Sequence, residues 1–266
     1  MEFKDQMNNT IRLDKYPSRI ISLVPSQTEL LFDLGLDAGI VGVTRYCIYP
    51  PDKTNKRAKI GGTKKFQFEV IDKLQPDLII GNKEENYPEG IHKLQEKYPV
   101  WMSDIATLED ALLMIWGIGE LVNKAKNARQ IIDEIKTRMD RLESYPLMKV
   151  VYFIWKDPYM VAGGNTFITN MLYKCRLINI FSSTGSYPKI TLDQIDETEV
   201  ILLSSEPYPF SQQDIEFIRK KYPNLPILLV DGTMFSWYGS RLKYAATYYR
   251  TLREEIRNCN AVKKSL

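Results

Sequence analysis

The sequence has very little histidine, the side chain that most often serves as a general base or a metal ligand. The single histidine, His92, lies in a segment whose apolar positions Ile91, Leu94 and Tyr98 predict a helix that turns His92 towards water. Motifs of zinc proteases, P-loop proteins, serine hydrolases and EF-hands are absent. The commonest catalytic classes therefore find no support in this chain.

Cysteine, net charge and long apolar runs are also scarce. The three cysteines Cys47, Cys175 and Cys259 lie far apart and form no CxxC pair, which argues against metal knuckles and a disulfide framework, although one bridge stays open. A net charge of +3 is too small to indicate nucleic acid. No apolar run has the length of a membrane span, and residues 1–15 hold no signal-peptide core. As written, the chain is expected to be cytoplasmic, unless a leader was removed.

The opening of the chain predicts a strand followed at once by a helix. Residues 20–24 form a short apolar run, typical of a strand that is covered on both faces. Pro25 stops that strand, and Ser26 with Glu29 three residues later has the pattern of a capping box. Gly35 is a suitable residue for the end of the helix. The order of strand, turn and helix indicates an α/β domain.

Strands and helices alternate along most of the chain, which predicts largely parallel sheets. From residue 107 to residue 144 the apolar pattern is purely helical, with a break near Asn123 and a second helix of about 20 residues. We therefore predict an N-terminal α/β lobe over 1–106, a helical connector over 107–147 and a C-terminal α/β lobe over 148–266. Because bending a helix breaks its hydrogen bonds, the connector is expected to be rigid.

Aromatic and polar residues follow several predicted strands, where ligands bind in parallel α/β sheets. Trp155, Glu206 and Arg241 are candidates from these loops, and so are Tyr46, Phe235 and Trp237. Each aromatic ring can bury on the order of 150–250 Å², which suits a large planar ligand. Ordinary packing of the rings at the sheet ends is the alternative for any one of them.

Glu69 and Asp193 occupy comparable places early in predicted helices of the two halves. Acids near a helix start are stabilised by the helix dipole, and this alone could explain them. Two matching acids could also grip basic residues of a partner protein.

The chain resembles the cobalamin-binding substrate-binding proteins of ABC importers, a group with a helical backbone that also includes iron-siderophore and haem binders. The resemblance rests on the segments RIISLVPSQTEL from Arg19, VGV from Val41 with YPP from Tyr49, and LQPDLII from Leu74. It covers nearly the whole chain. It implies a class III periplasmic-binding-protein fold, with two Rossmann-like lobes, a rigid connecting helix, a ligand held between the lobes and no enzymatic activity.

The resemblance also implies roles for particular residues. Tyr46 and Tyr187 match aromatic positions that line the corrinoid site, while Met160, Phe235 and Trp237 fall in loops that border it. Glu69 matches the first-lobe glutamate that docks on permease arginines, and Asp193 falls at the second-lobe glutamate with a shorter side chain. Thr63 and Asn82 depart from the pattern, because the cobalamin binders have tryptophans there.

Several hypotheses follow. The first is a monomeric, non-enzymatic binder of cobalamin or a related metal chelate, with no protein metal ligand and no required cofactor, since one histidine makes direct ligation of a metal difficult. Haem and iron siderophores are the rival ligands. An intracellular sensor or storage protein is a third reading. A chelatase-like enzyme that uses Glu84, Glu85, Glu206 or Asp231 as acid and base rests on fold analogy alone.

Overall fold

The computed structural model describes residues 1–264, with side chains described up to Cys259. By its internal contacts the chain divides into two compact units. Unit 1 comprises Met1–Ile105, Glu109–Ile135 and Trp237–Arg241. Unit 2 comprises Ala106–Leu108, Lys136–Ser236 and Leu242–Leu266.

Unit 1 is built on a five-stranded parallel sheet. Its strands and helices, in chain order, are β1 (Glu2–Lys4), β2 (Thr10–Arg12), β3 (Ile20–Ser22), α1 (Pro25–Asp33), β4 (Ile40–Val43), α2 (Pro51–Thr54), β5 (Ala58–Lys59), β6 (Gly61–Gly62), β7 (Lys65–Phe66), α3 (Phe68–Leu74), β8 (Leu78–Asn82), α4 (Pro88–Gln95) and β9 (Val100–Ser103). The strands of the sheet lie in the order β5-β4-β3-β8-β9. Every residue of β3, β8 and β9 is buried, as expected for strands covered on both faces. The predicted parallel α/β architecture is confirmed.

The helix after β3 forms as predicted, but its capping box does not. Helix α1 begins at Pro25, and its N-cap residue Val24 has no side chain that could accept a hydrogen bond. Glu29 instead pairs with Arg241. The capping-box prediction was wrong because Pro25 starts the helix one residue earlier and a tertiary ion pair takes the Glu29 carboxylate. At the other end Gly35 has φ +86°, the left-handed conformation that favours glycine.

The predicted connector consists of two helices, α5 (Leu108–Leu121) and α6 (Ala125–Asp140). Asn123 separates them with a left-handed φ of +56°, so the predicted break is confirmed. Helix α6 has 16 residues and ends before the predicted position. Most of the two helices belongs to unit 1. The separate connector over 107–147 and its rigidity stay predictions.

Unit 2 is built on a second five-stranded sheet. Its elements are β10 (Met148–Trp155), β11 (Met160–Val161), α7 (Phe167–Lys174), β12 (Leu177–Asn179), a 3-10 turn (Leu192–Ile195), β13 (Val200–Ser204), α8 (Gln212–Arg219), β14 (Ile227–Val230), α9 (Thr233–Ser236) and α10 (Leu242–Lys264). The strands lie in the order β11-β10-β13-β14, and β12 also pairs with β10. All of these pairs are parallel except β10 with β11. Buried Val151, Phe153, Ile201 and Leu203 lie at the centre of its core.

Among the described residues, no helix is both long and apolar enough to cross a membrane.

Candidate functional site

In unit 1, the predicted site residue Tyr46 lies in the loop after β4, at the end of the sheet where ligands bind in parallel α/β proteins. Its side chain is 55% exposed. The Arg45 guanidinium lies 5.7 Å from the centre of the Tyr46 ring. Gly62 brings β6 against this ring, because a Cβ at Gly62 would lie only 3.2 Å from Tyr46 Cε2. Tyr46 is thus supported on one side and open to solvent on another.

The predicted residues Trp237 and Arg241 also belong to unit 1, where they join two residues that the sequence analysis did not assign to the site. The Arg241 guanidinium makes a two-pronged ion pair with Glu29, through Nε at 2.9 Å and Nη2 at 2.8 Å. Its carbon Cζ lies 4.3 Å from the centre of the Tyr49 ring and 4.6 Å from that of Trp237. Glu29 and Arg241 side chains are only 14% and 12% exposed. Arg241 therefore holds other protein groups, and its role as a ligand contact stays a prediction.

Polar residues after β8 form a buried turn. Asn82 is 2% exposed, and its Oδ1 accepts hydrogen bonds from the backbone N–H of Glu84 at 2.9 Å and of Glu85 at 3.1 Å. Asn82 Nδ2 donates to Ser103 Oγ at 2.9 Å. Asn82 therefore organises the backbone of this loop.

In unit 2, strand pairing brings Trp155, Met160 and the segment around Tyr187 together. Trp155 on β10 lies opposite Met160 on β11. Met160 in turn forms a bridge with Lys189, two residues after Tyr187. Trp155 is 41% exposed, and its ring meets that of Tyr208 edge to face at 5.8 Å between ring centres. Tyr208 lies two residues after the candidate Glu206, but only the fold shows that it supports Trp155.

Glu206 and Phe235 have structural partners in unit 2. Glu206 Oε1 accepts a hydrogen bond of 2.6 Å from Ser236 Oγ, next to Gly232, where a Cβ would clash with Glu206 Cγ. Phe235 is 0% exposed and packs against Tyr152 and Tyr249 at ring-centre distances of 5.3 and 5.0 Å. Helix α9 turns this ring into the core of unit 2, away from the ligand surface that was predicted for Phe235.

The two acids predicted to dock on a partner are both exposed. Glu69 lies in the first turn of α3. Asp193 lies in the 3-10 turn and forms an ion pair with Lys221, and the Asp193 side chain is 80% exposed. The hydrogen bond from Lys221, followed by the Lys221 charge, holds the pKa of Asp193 below its usual range.

An ion pair close to Trp155 fixes the start of α8. Lys156 Nζ lies 2.6 Å from Asp214 Oδ1, while Asp214 Oδ2 accepts a hydrogen bond of 2.9 Å from the Ser211 backbone N–H as part of a capping box. Burial by itself would raise the pKa of Asp214, but the hydrogen bonds from Lys156 and Ser211 lower it. In the part of the chain that the structure describes, no three His, Cys, Asp or Glu residues are grouped to hold a metal ion.

Two α/β units with largely parallel sheets and exposed aromatic residues at strand ends are typical of a ligand-binding protein of the two-lobed type. Residues 20–223 match the family model described as periplasmic binding protein. The chain therefore belongs to the periplasmic binding protein family, whose members are substrate-binding proteins.

The chain is similar in sequence or structure to several known proteins. The chain is 27% identical over 183 residues to a vitamin B12-binding protein of Vibrio campbellii, and the match covers 66% of each protein, just under two thirds. A second similar protein is a possible iron-binding, periplasmic solute-binding protein of Staphylococcus epidermidis. Its structure has a TM-score of 0.76 at 25% sequence identity, and the match covers 91% of this chain and 99% of that one. The vitamin B12-binding protein BtuF of Vibrio cholerae has a TM-score of 0.72 at 21% identity, over 91% and 98%. The last similarity concerns the fold alone.

Proposed function

We propose that this protein is a non-enzymatic binder of a corrinoid such as cobalamin, and that it serves ABC-type import. The observation that carries the proposal is the exposure of Tyr46, at 55% in the loop after β4, and of Trp155, at 41% at the end of β10. Large exposed aromatic rings at the ligand-binding ends of parallel sheets favour a partner with broad apolar faces. The similarity to the vitamin B12-binding protein of Vibrio campbellii supports a corrinoid as that partner.

A ligand that carries its own metal ligands suits the side chains at these loops. Tyr46 and Trp155 offer ring faces, and Arg45 beside Tyr46 offers a planar guanidinium that can stack or donate hydrogen bonds. The only histidine, His92, is exposed on α4. We therefore expect the protein to bind the chelate by stacking and polar contacts, without bonding to its metal.

Calorimetry with cobalamin, cobinamide, haemin and a ferric siderophore tests this function. We expect one corrinoid to bind per chain, with heat released or absorbed saturating at a 1:1 ratio. The variant Tyr173→Ala should bind the corrinoid as the wild type does, because Tyr173 is 62% exposed on α7 and outside the proposed site. Binding of haemin or the siderophore without binding of either corrinoid would contradict the proposal.

We further propose that Glu69 and Asp193 dock on arginines of an ABC permease, which places the working protein outside the cytoplasmic membrane, in the periplasm or anchored by a lipid. The ion pair with Lys221 does not prevent this role, because an ion pair between exposed side chains contributes little to stability. A permease arginine could therefore replace Lys221 as the partner of Asp193.

Corrinoid uptake by cells that carry the native gene tests the docking proposal. The double variant Glu69→Gln with Asp193→Asn should keep its ligand affinity and lose uptake. Glu197→Gln is the matched control, since Glu197 is also an exposed acid paired with a lysine, Lys149, at 2.8 Å. Normal uptake in the double variant would rule out docking through this pair.

A further inference from the structure

The loop 44–50 after β4 alternates between exposed and anchored residues. Tyr46 and Ile48 are 55% and 54% exposed, whereas Cys47 between them is 0% exposed. Tyr49 at the end of the loop is 38% exposed, with its ring against Arg241. The loop thus presents two apolar side chains to solvent while the residues next to them hold on to the body of unit 1.

The first anchor is at Cys47. Its Sγ lies 3.1 Å from Thr28 Oγ1 on α1 and 3.1 Å from Thr44 Oγ1 at the end of β4. The Cys47 backbone N–H donates to the Thr44 carbonyl at 3.1 Å, and Lys59 Nζ approaches the Cys47 carbonyl at 3.4 Å. All of these groups belong to unit 1, so the centre of the loop is tied to both the helix and the sheet.

The second anchor is the Glu29–Arg241 ion pair. Arg241 lies within 4.3 Å of the Tyr49 ring centre and within 4.6 Å of the Trp237 ring centre, and these two rings meet at 5.8 Å and 74°. A planar guanidinium held by a carboxylate at two points cannot rotate freely, so it fixes the ring that packs on it. Gly239 makes this approach to α1 possible, because a Cβ there would lie 2.4 Å from the Ser26 carbonyl oxygen.

We propose that Tyr46 and Ile48 form one preorganised apolar contact for the ligand, and that Glu29 and Arg241 are positioning residues that hold this loop. Ile48 is thereby assigned as a ligand-contacting residue. Two exposed apolar side chains on a strand-end loop cost the free protein favourable burial, and a ligand that covers both recovers it. Because the loop is fixed in advance, little conformational entropy is lost on binding. For its ligand this inference rests on the proposed function, but the fixing of the loop does not.

Affinity for cobinamide, measured by calorimetry, tests the contact. Ile48→Ala should weaken binding about 5-fold, since a half-exposed isoleucine loses roughly 1 kcal/mol of apolar contact. Ile178→Ala is the matched control, because Ile178 is 37% exposed on β12 of unit 2, and it should bind as the wild type does. Equal affinity of the Ile48 variant and the wild type would overturn the assignment of Ile48.

Amide hydrogen exchange of the free protein tests the positioning pair without any ligand. Glu29→Gln and Arg241→Lys should each raise exchange about tenfold in peptides that cover residues 44–50, while exchange in β8 stays unchanged. Glu197→Gln is the control and should leave the loop unaffected. Unchanged exchange of the loop in both variants would overturn the positioning role. A wild type that binds no corrinoid would refute the proposed function and the ligand contact, while the exchange result still decides how the loop is held.

Discussion

Replacing Tyr46 by alanine is expected to weaken corrinoid binding about 5- to 20-fold. An aromatic side chain can bury roughly 150–250 Å², and Tyr46 is 55% exposed, which leaves roughly 80–140 Å² for a ligand. A planar ligand on one ring face covers about half of this area. At about 25 cal/mol/Å² the lost contact is worth about 1–1.8 kcal/mol, and 1.4 kcal/mol is about a factor of ten in affinity.

The assay is a calorimetric titration with cobinamide, and a thermal melt of each variant checks that the fold is intact. Tyr173→Ala removes a tyrosine that is even more exposed, at 62%, and should leave the affinity unchanged. Tight binding by Tyr46→Ala, equal to that of the wild type, would refute the contact between Tyr46 and the ligand, because the exposed ring would then contribute nothing to affinity. An equal loss of affinity in both variants would refute it as well.

Three further predictions concern the scaffold. Asp214→Asn should cost about 1.5–3 kcal/mol at pH 7, because it removes the charged partner of Lys156. Since the pKa of Asp214 lies below its ordinary value of 3.8, the stabilisation by its carboxylate is present above about pH 4 and is lost as the pH falls through the folded-state pKa. In urea unfolding, the free energy of unfolding should therefore fall less on acidification in the variant than in the wild type. Gly119→Ala should lower the melting temperature, because its Cβ would lie 2.3 Å from Ala128 Cβ and overpacking costs about 1–3 kcal/mol. Burial raises the pKa of the Cys47 thiol, so a thiol reagent at pH 8 should modify it only after unfolding; rapid labelling of the native protein would contradict this.

The alternation of strands and helices was predictable from the sequence because the apolar pattern records burial on both faces of each sheet. The run at residues 20–24 produced a strand over Ile20–Ser22, two residues shorter than the run, while the break at Asn123 and the left-handed residue Gly35 formed as expected. Local hydrogen-bonding signals were less reliable. Ser26 and Glu29 have the spacing of a capping box, yet Glu29 binds Arg241, 212 positions further along the chain. No local pattern contains a partner so distant in sequence.

The candidate site was predictable as a set of loops but not as a set of side-chain orientations. Tyr46 and Trp155 are exposed at strand ends, whereas Phe235, which lies in an equally aromatic segment, points into the core. Only the short helix α9 decides which way that ring turns, and its four residues carry no clear periodicity. The role of Tyr208 could not be predicted from the sequence either, because its edge-to-face contact with Trp155 depends on the fold.

Crystallography of the protein with cobinamide, using the anomalous signal of cobalt, tests the central claim most directly. We expect one cobalt site per chain, with atoms of the corrin ring in van der Waals contact with the Tyr46 ring, at about 3.5–4.0 Å, and with the Ile48 side chain beside it. A crystal with no ordered cobalt at saturating cobinamide, or a corrin ring that contacts neither Tyr46 nor Ile48, would contradict it.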